Sequence, residues 1–264
     1  MGTADAMLDM DLSDLVSRLD ESLRTEDFAD LDASENGLQV DRHDDSVTRV
    51  AFSVDAAVET IESAVDWGAD LMVVHHGLSW DGIERVTGRH HARLARLLEA
   101  DLGLYVSHLP LDAHPDHGNA AGLADLLSLS GREPFGALGG ESIGQRGRLS
   151  TPRSTEAVHR TLEEALDHGG EGVQVLDFGP EPIEDVAIVT GSGADWFDEA
   201  VDAGVDAFVT GEGKGQLYHQ ARESAVTVFL GGHYATETFG VRALATVLEN
   251  WGLETTFIDA PTGL

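Results

Sequence analysis

Cysteine is absent from the 264-residue chain, which excludes disulfides, thiolate metal ligands and thiol nucleophiles and fits a reducing compartment. Lysine is nearly absent: of 16 cationic side chains, only Lys214 is a lysine. No apolar run approaches the roughly 20 residues that a spanning helix needs. Met1 to Met10 carry aspartates and no positively charged region, so no signal peptide is expected and a cytoplasmic location is. Against the few cations stand 48 acidic residues, a formal net charge of −32. Because the acids are spread along the chain rather than gathered in a tail, the balance resembles that of proteins from salt-in halophiles. Molar salt screens such self-repulsion over a short distance. An acidic surface made for a basic partner is the alternative. A phosphate backbone is repelled in either case, so nucleic acid is not an expected partner, and neither is a membrane. With 42% hydrophobic and 24% charged residues the chain reads as folded, and its length allows one large domain or two small ones.

Hydrophobic periodicity predicts an α/β protein. A helix capped by Ser13 or Asp11 carries Leu15, Val16, Leu19 and Leu23 at helical spacing. Strand-like runs at 50–54, 71–74 and 104–107 alternate with helices near 57–67 and 92–100. After an irregular, glycine-rich hairpin or linker at 131–147 the pattern resumes. Strands are predicted at 186–190, 207–210, 226–230 and 255–258, with helices near 196–203, 216–223 and 236–251. Such alternation predicts mixed, largely parallel sheets flanked by helices.

An internal repeat supports two similar lobes. Ala64-Val65-Asp66-Trp67-Gly68-Ala69-Asp70 matches Ala200-Val201-Asp202-Ala203-Gly204-Val205-Asp206 at an offset of 136, and Val50-Ala51 matches Val186-Ala187 at the same offset. One strand later, His108-x-x-x-Asp112 matches His233-x-x-x-Glu237 at an offset of 125. The expected organisation is an internal duplication, with residues 1–130 as the first lobe, 131–180 a short connection and 181–264 the second lobe. Ligand sites in such sheets lie outside the carboxyl ends of the strands.

Those ends carry the candidate chemistry. Val73-Val74-His75-His76-Gly77 runs a buried strand directly into two histidines. Alternation on a strand points them to opposite faces, so each is expected to serve a different ion, or to flank one ion if the backbone turns at Gly77. His108 and Asp112 are read as part of a loop because Pro110 lies between them, and Glu237 is placed at the start of the last helix. Imidazole and carboxylate without thiolate suit divalent Zn, Fe, Mn or Ni. Glu212, Lys214 and His219 follow the equivalent strand end in the second copy. Gly191-Ser192-Gly193 reads as a tight strand-to-helix turn, with a weaker reading as a phosphate cradle. His43, His90, His91, His114, His117, His159 and His168 read as surface residues.

In order along the chain, five segments resemble the signatures of the Nif-three-like dinuclear-metal-centre proteins, often labelled GTP cyclohydrolase I type 2 homologues. They are Asn36-Gly37-Leu38-Gln39, Val74-His75-His76-Gly77, His108-Leu109-Pro110-Leu111-Asp112, Thr210-Gly211-Glu212 and Gly232-His233-Tyr234-x-x-Glu237. The resemblance covers nearly the whole chain and fits the compact form without an inserted middle domain. It implies a toroidal homohexamer, with two divalent metal ions per chain held by His75, His76, Asp112, His233 and Glu237. It also implies metal-assisted hydrolysis of a nucleotide, with Glu212, His108 or His219 carrying protons. The alternative is a non-catalytic metal-binding or metal-delivery protein, or a scaffold that the metals stabilise.

Overall fold

Local sequence sets the first helix. In the computed structural model, which describes residues 9–83 and 85–264, β1 (Met10–Asp11) leads into α1 (Leu12–Leu23). Of the segment read for a signal peptide, residues 1–8 lie outside those described. Asp11, rather than Ser13, is the cap: its carboxylate accepts from the Ser13 amide at 2.9 Å. Leu12, Leu15, Leu19 and Leu23 form the buried stripe, and Arg24 ends the helix in the left-handed region.

The first sheet then assembles from β2 (Gly37–Val40), β4 (Arg49–Asp55), β5 (Leu71–His76) and β6 (Gly103–Val106). The short β3 (Ser46–Val47) pairs with β1 instead. Two helices, α2 (Val58–Trp67) and α3 (Gly88–Glu99), supply the crossovers. Apolar side chains from both helices and from β4, β5 and β6, among them Ile61, Ala64, Leu97, Ala51, Val74 and Leu104, close a core between helices and sheet. Beyond β6 the chain makes a single helical turn, α4 (Leu109–Asp112). The expected loop is therefore a helix turn: Pro110 sits in its first turn, where the missing N–H has no helical acceptor to lose.

The second sheet begins after α5 (Asn119–Leu127) with the hairpin β7 (Leu129–Leu138) and β8 (Glu141–Arg153). There follow α6 (Thr155–Ala165), β9 (Gln174–Leu176), β10 (Ile183–Ile188), α7 (Phe197–Asp202), β11 (Ala207–Thr210), α8 (Leu217–Ser224) and β12 (Thr227–Leu230). A turn, α9 (His233–Thr236), precedes α10 (Thr238–Asn250), and β13 (Glu254–Phe257) ends the list. The sheet order is β7-β8-β10-β11-β12-β9, with β10, β11 and β12 parallel. Residues 131–180 are thus not a bare connection. They hold the hairpin's main part, α6 and β9, and they supply strands at both edges of this sheet, the hairpin beside β10 and β9 beside β12.

Contacts divide the chain into two units: residues up to Leu111 with Val241–Ala260, and Asp112–Gly240 with Pro261–Leu264. The final strand, expected to follow on from the second copy, instead pairs in parallel with β4 at the edge of the first sheet, whose order is β13-β4-β5-β6-β2. Strand partners are a long-range choice, and nothing in the run 254–257 names one.

The sequence repeat coincides with matching pairings of two parallel strands within each unit. Val50 pairs with Leu71 in one, and Val186 with Ala207 in the other. Asp70 accepts from the backbone amides of Thr48 and Arg49 at 2.9 Å each through one carboxylate oxygen. Its counterpart Asp206 accepts from Glu184 and Asp185 at 2.8 and 3.0 Å. Each carboxylate therefore closes the entry to a pair of parallel strands, at the end opposite the candidate site.

Candidate metal centre

Three histidines gather at the carboxyl ends of β5 and β6. One ligand atom from each of His75, His76 and His108 lies within 4.8 Å of the other two. The ring centroids of His75 and His76 are 4.8 Å apart, and those of His75 and His108 are 5.0 Å apart. Of the two arrangements expected from the sequence, opposite faces or a shared place where the backbone turns at Gly77, the ring positions fit the second. His76 is the last residue of β5, and the two rings lean together where the regular pleat ends.

Every one of these rings is held by an acceptor on Nδ1. For His75 it is the Ser107 carbonyl at 2.9 Å, for His76 the Asp55 carboxylate at 2.9 Å, and for His108 the Asp32 carboxylate at 2.9 Å. An acceptor there keeps the proton of a neutral ring on Nδ1 and the lone pair on Nε2, the arrangement that metal-binding histidines adopt. Asp32 and Asp55 were not singled out from the sequence. Asp55 ends a strand, and that position was its only signal.

Asp32 is the hub of this side. Its side chain is 2% exposed, and burial alone pushes the carboxyl up. The hydrogen bond and charge of His108, with donors from Asn36 and the Ser34 amide, outweigh that and leave it below the ordinary carboxylate value. Asn36 also accepts from the His108 amide at 2.7 Å. Three residues on, Gln39 accepts from the amides of Leu78 and Ser79 at 2.8 and 3.2 Å and so fixes the loop beyond the histidine pair. Gly77 is required between them, since a Cβ there would meet Val106 at 2.5 Å and the Gln39 oxygen at 2.6 Å. The Asn36 to Gln39 motif is thus a brace for both histidine segments.

The second unit carries a carboxylate-rich set. His233 opens α9, and its Nε2 lies 3.2 Å from Glu237, which is buried between α9 and α10. Its Nδ1 lies 3.3 Å from Glu212. Glu212 accepts a hydrogen bond from the Ser192 hydroxyl. That bond, reinforced by His233 against the opposing effects of burial and of Glu237, holds its carboxyl below the ordinary value. Gly191, at φ +57°, is where Glu237 closes down: a Cβ would sit 2.0 Å from the Glu237 Oε1 and 3.1 Å from the His233 Nε2. The Gly191 carbonyl in turn accepts from the amides of Gly211 and Glu212. Asp112 is buried and accepts from Asn119 at 2.8 Å and Thr190 at 3.4 Å. Asn119 is pinned through its own oxygen by the Gly240 amide at 2.7 Å.

Three readings change with this geometry. His219 is exposed on α8, its ring against Tyr218, and no contact described joins it to Glu212 or His233. Lys214 forms an exposed ion pair with Asp195 at 2.5 Å. His168 is not a free surface residue: it is 13% exposed and its Nδ1 accepts from the Gly172 amide. The Gly191-Ser192-Gly193 turn is a strand-to-helix turn as expected, but its tightness serves Glu237 and Glu212.

Imidazoles anchored through Nδ1 in the first unit, and a histidine among carboxylates in the second, are donor types that suit a borderline divalent ion. An α/β protein with a candidate histidine–carboxylate metal site at its strand ends is what this geometry defines. The chain belongs to the family described as Duf34/NIF3 (NGG1p interacting factor 3), whose model matches residues 10–263. It is 58% identical over 255 residues to a Halobacterium salinarum protein named GTP cyclohydrolase 1 type 2 homolog, covering 97% of this chain and all of that one. A Pyrococcus horikoshii protein of the same name is 43% identical over 256 residues, with coverage of 97% and 100%. Among solved structures, a protein called ybgI, titled as of unknown function, superposes with a TM-score of 0.88 at 37% identity over 97% of this chain and 100% of that chain. Among the described residues no helix is long and apolar enough to cross a membrane.

Proposed function

We propose that the chain is a metal-dependent hydrolase acting on a nucleotide, with two divalent ions held by His75, His76, Asp112, His233 and Glu237. The observation that carries this reading is the uniform anchoring of His75, His76 and His108 through Nδ1, which orients three Nε2 lone pairs before any ion arrives. Bound ions would supply Lewis-acid polarisation and lower the pKa of water.

The remaining work falls to side chains. Glu212, whose carboxyl Ser192 and His233 hold below the ordinary value, would accept a proton and orient His233. His108, backed by the Asp32 carboxylate, is the second proton carrier. His219 keeps a lesser place, because its ring is engaged with Tyr218. GTP is the first substrate to try, because the relatives' names mention it. The family resemblance further suggests a homohexamer in the cytoplasm.

Metal analysis of protein purified in high salt, before and after His75→Ala and Glu237→Ala, tests the proposal, with each preparation assayed against GTP and a nucleotide panel. About two ions per chain, lost in the variants together with hydrolysis, is the expected result. Two ions without turnover on any nucleotide would favour a metal-handling protein, and no bound metal would end the reading. Light scattering of the same samples checks the hexamer.

A further inference from the structure

Trp80 is the side chain at this site that ligand and proton chemistry leave unused. Its indole packs edge-to-face on His108, with ring centroids 5.0 Å apart and planes at 75°, and lies 6.0 Å from His76. It nevertheless remains 42% exposed. The other three tryptophans are engaged by the protein itself. Arg49 covers Trp67, Arg18 covers Trp251, and the Trp196 indole N–H donates to the Ala137 carbonyl.

The exposure of Trp80 is not that of a loose loop. Its backbone bridges to Ser34, and the residues on either side are tied to the same segment: Glu35 N–H to the Ser79 carbonyl at 3.2 Å and Asp81 N–H to the Ala33 carbonyl at 2.7 Å. Gln39 holds Leu78 and Ser79 from below. A large aromatic face is thus presented beside two of the three gathered histidines by a backbone fixed on both sides.

We propose that Trp80 is the stacking platform for the substrate, and that the substrate class is therefore one with a planar heteroaromatic ring, as in a nucleobase, set against the indole. Charge favours this mode of binding. Apart from any bound ions, a chain of net charge −32 repels a phosphate overall, and ionic attraction between exposed groups is screened at molar salt. Ring-on-ring contact persists there, because it depends on dispersion and on removing apolar surface from water. Stacking also tolerates any base, so specificity would come from edge contacts elsewhere. The inference rests on the proposed nucleotide hydrolase for the identity of the site, but its test reads binding rather than turnover.

The full-length, metal-loaded protein in molar KCl is titrated with GTP, guanosine, ATP and, as a non-planar control, ribose 5-phosphate, following indole fluorescence. Planar probes should quench the emission and ribose 5-phosphate should not, and Trp80→Phe should lose the quench while keeping affinity within about threefold. Trp80→Leu, which is apolar but not aromatic, should weaken planar probes by roughly tenfold or more, read by calorimetry, with metal content and mass unchanged. Unaltered affinity in Trp80→Leu, or no binding of any planar probe, overturns the proposal. So does a fall in assembly mass in that variant, which would make Trp80 a contact between copies. Quenching without hydrolysis would uphold stacking while counting against the hydrolase.

Discussion

An imidazole can bind an ion only through a nitrogen whose lone pair is aimed, and the aiming residues here are Asp32, Asp55 and the Ser107 carbonyl. Asp32→Asn and Asp55→Asn keep the shape but remove the charge that fixes the tautomer. Each should lower metal affinity by about 10- to 100-fold, read by competitive metal titration, with far-ultraviolet circular dichroism unchanged. Equal affinity in both variants would show that the anchors are incidental. Gly191 makes a steric counterpart. In Gly191→Ala the new methyl would sit 2.0 Å from the Glu237 Oε1 at a backbone angle that alanine resists. We expect bound metal to fall and stability to drop by about 1–3 kcal/mol, whereas Gly204→Ala, equally left-handed but with open space around it, should lose stability alone. The ligand candidates themselves were legible because histidines and carboxylates stand at predicted strand ends. Their anchors were not, since an aspartate 76 residues before His108 becomes its partner only when the chain folds.

At the scale of elements, periodicity carried most of the alternating pattern: β11 runs from Ala207 to Thr210 as read, and α2, α8 and α10 shift by one or two residues at their ends. Polar, glycine-rich and short segments carried less. The hairpin β7–β8 was seen only as hairpin or linker, and α5, α6 and β9 were not seen. Asp70 and Asp206 stand at matching places of the sequence repeat, but their job as amide acceptors was not legible there. Replacing either by alanine leaves two backbone amides without their carboxylate and should cost about 1–3 kcal/mol in denaturant unfolding, with no direct change in metal binding. Asp101, which follows α3, accepts from the His43 amide and sits below the ordinary carboxylate value, chiefly through that bond. Its contribution to stability is complete above the unfolded carboxylate range near pH 4 and is lost as pH falls through the lower folded value. A carboxyl titration followed by nuclear magnetic resonance should place Asp101 below an unstructured aspartate, and in the Asp101→Asn protein that acid-side loss should disappear.

For the whole molecule the dominant quantity is charge. A surplus of 32 negative charges repels itself in dilute buffer and is screened in concentrated salt. The melting temperature should therefore climb steeply with KCl from 0.1 M toward 3 M, and a flat profile would remove the halophile reading. Stripping metal with a chelator at fixed salt should lower it again, and re-addition should restore it, because an ion that binds only the folded chain stabilises by mass action.

The scarcity of one residue type has a practical side. Lys214 is the only lysine side chain, exposed two residues beyond Glu212 and tethered to Asp195. An amine-directed dye would therefore modify just one side chain, on the loop that leads out of the candidate site. Labelling needs no engineered cysteine, and the colour change on adding metal or nucleotide would report from within a few residues of the carboxylate that holds His233.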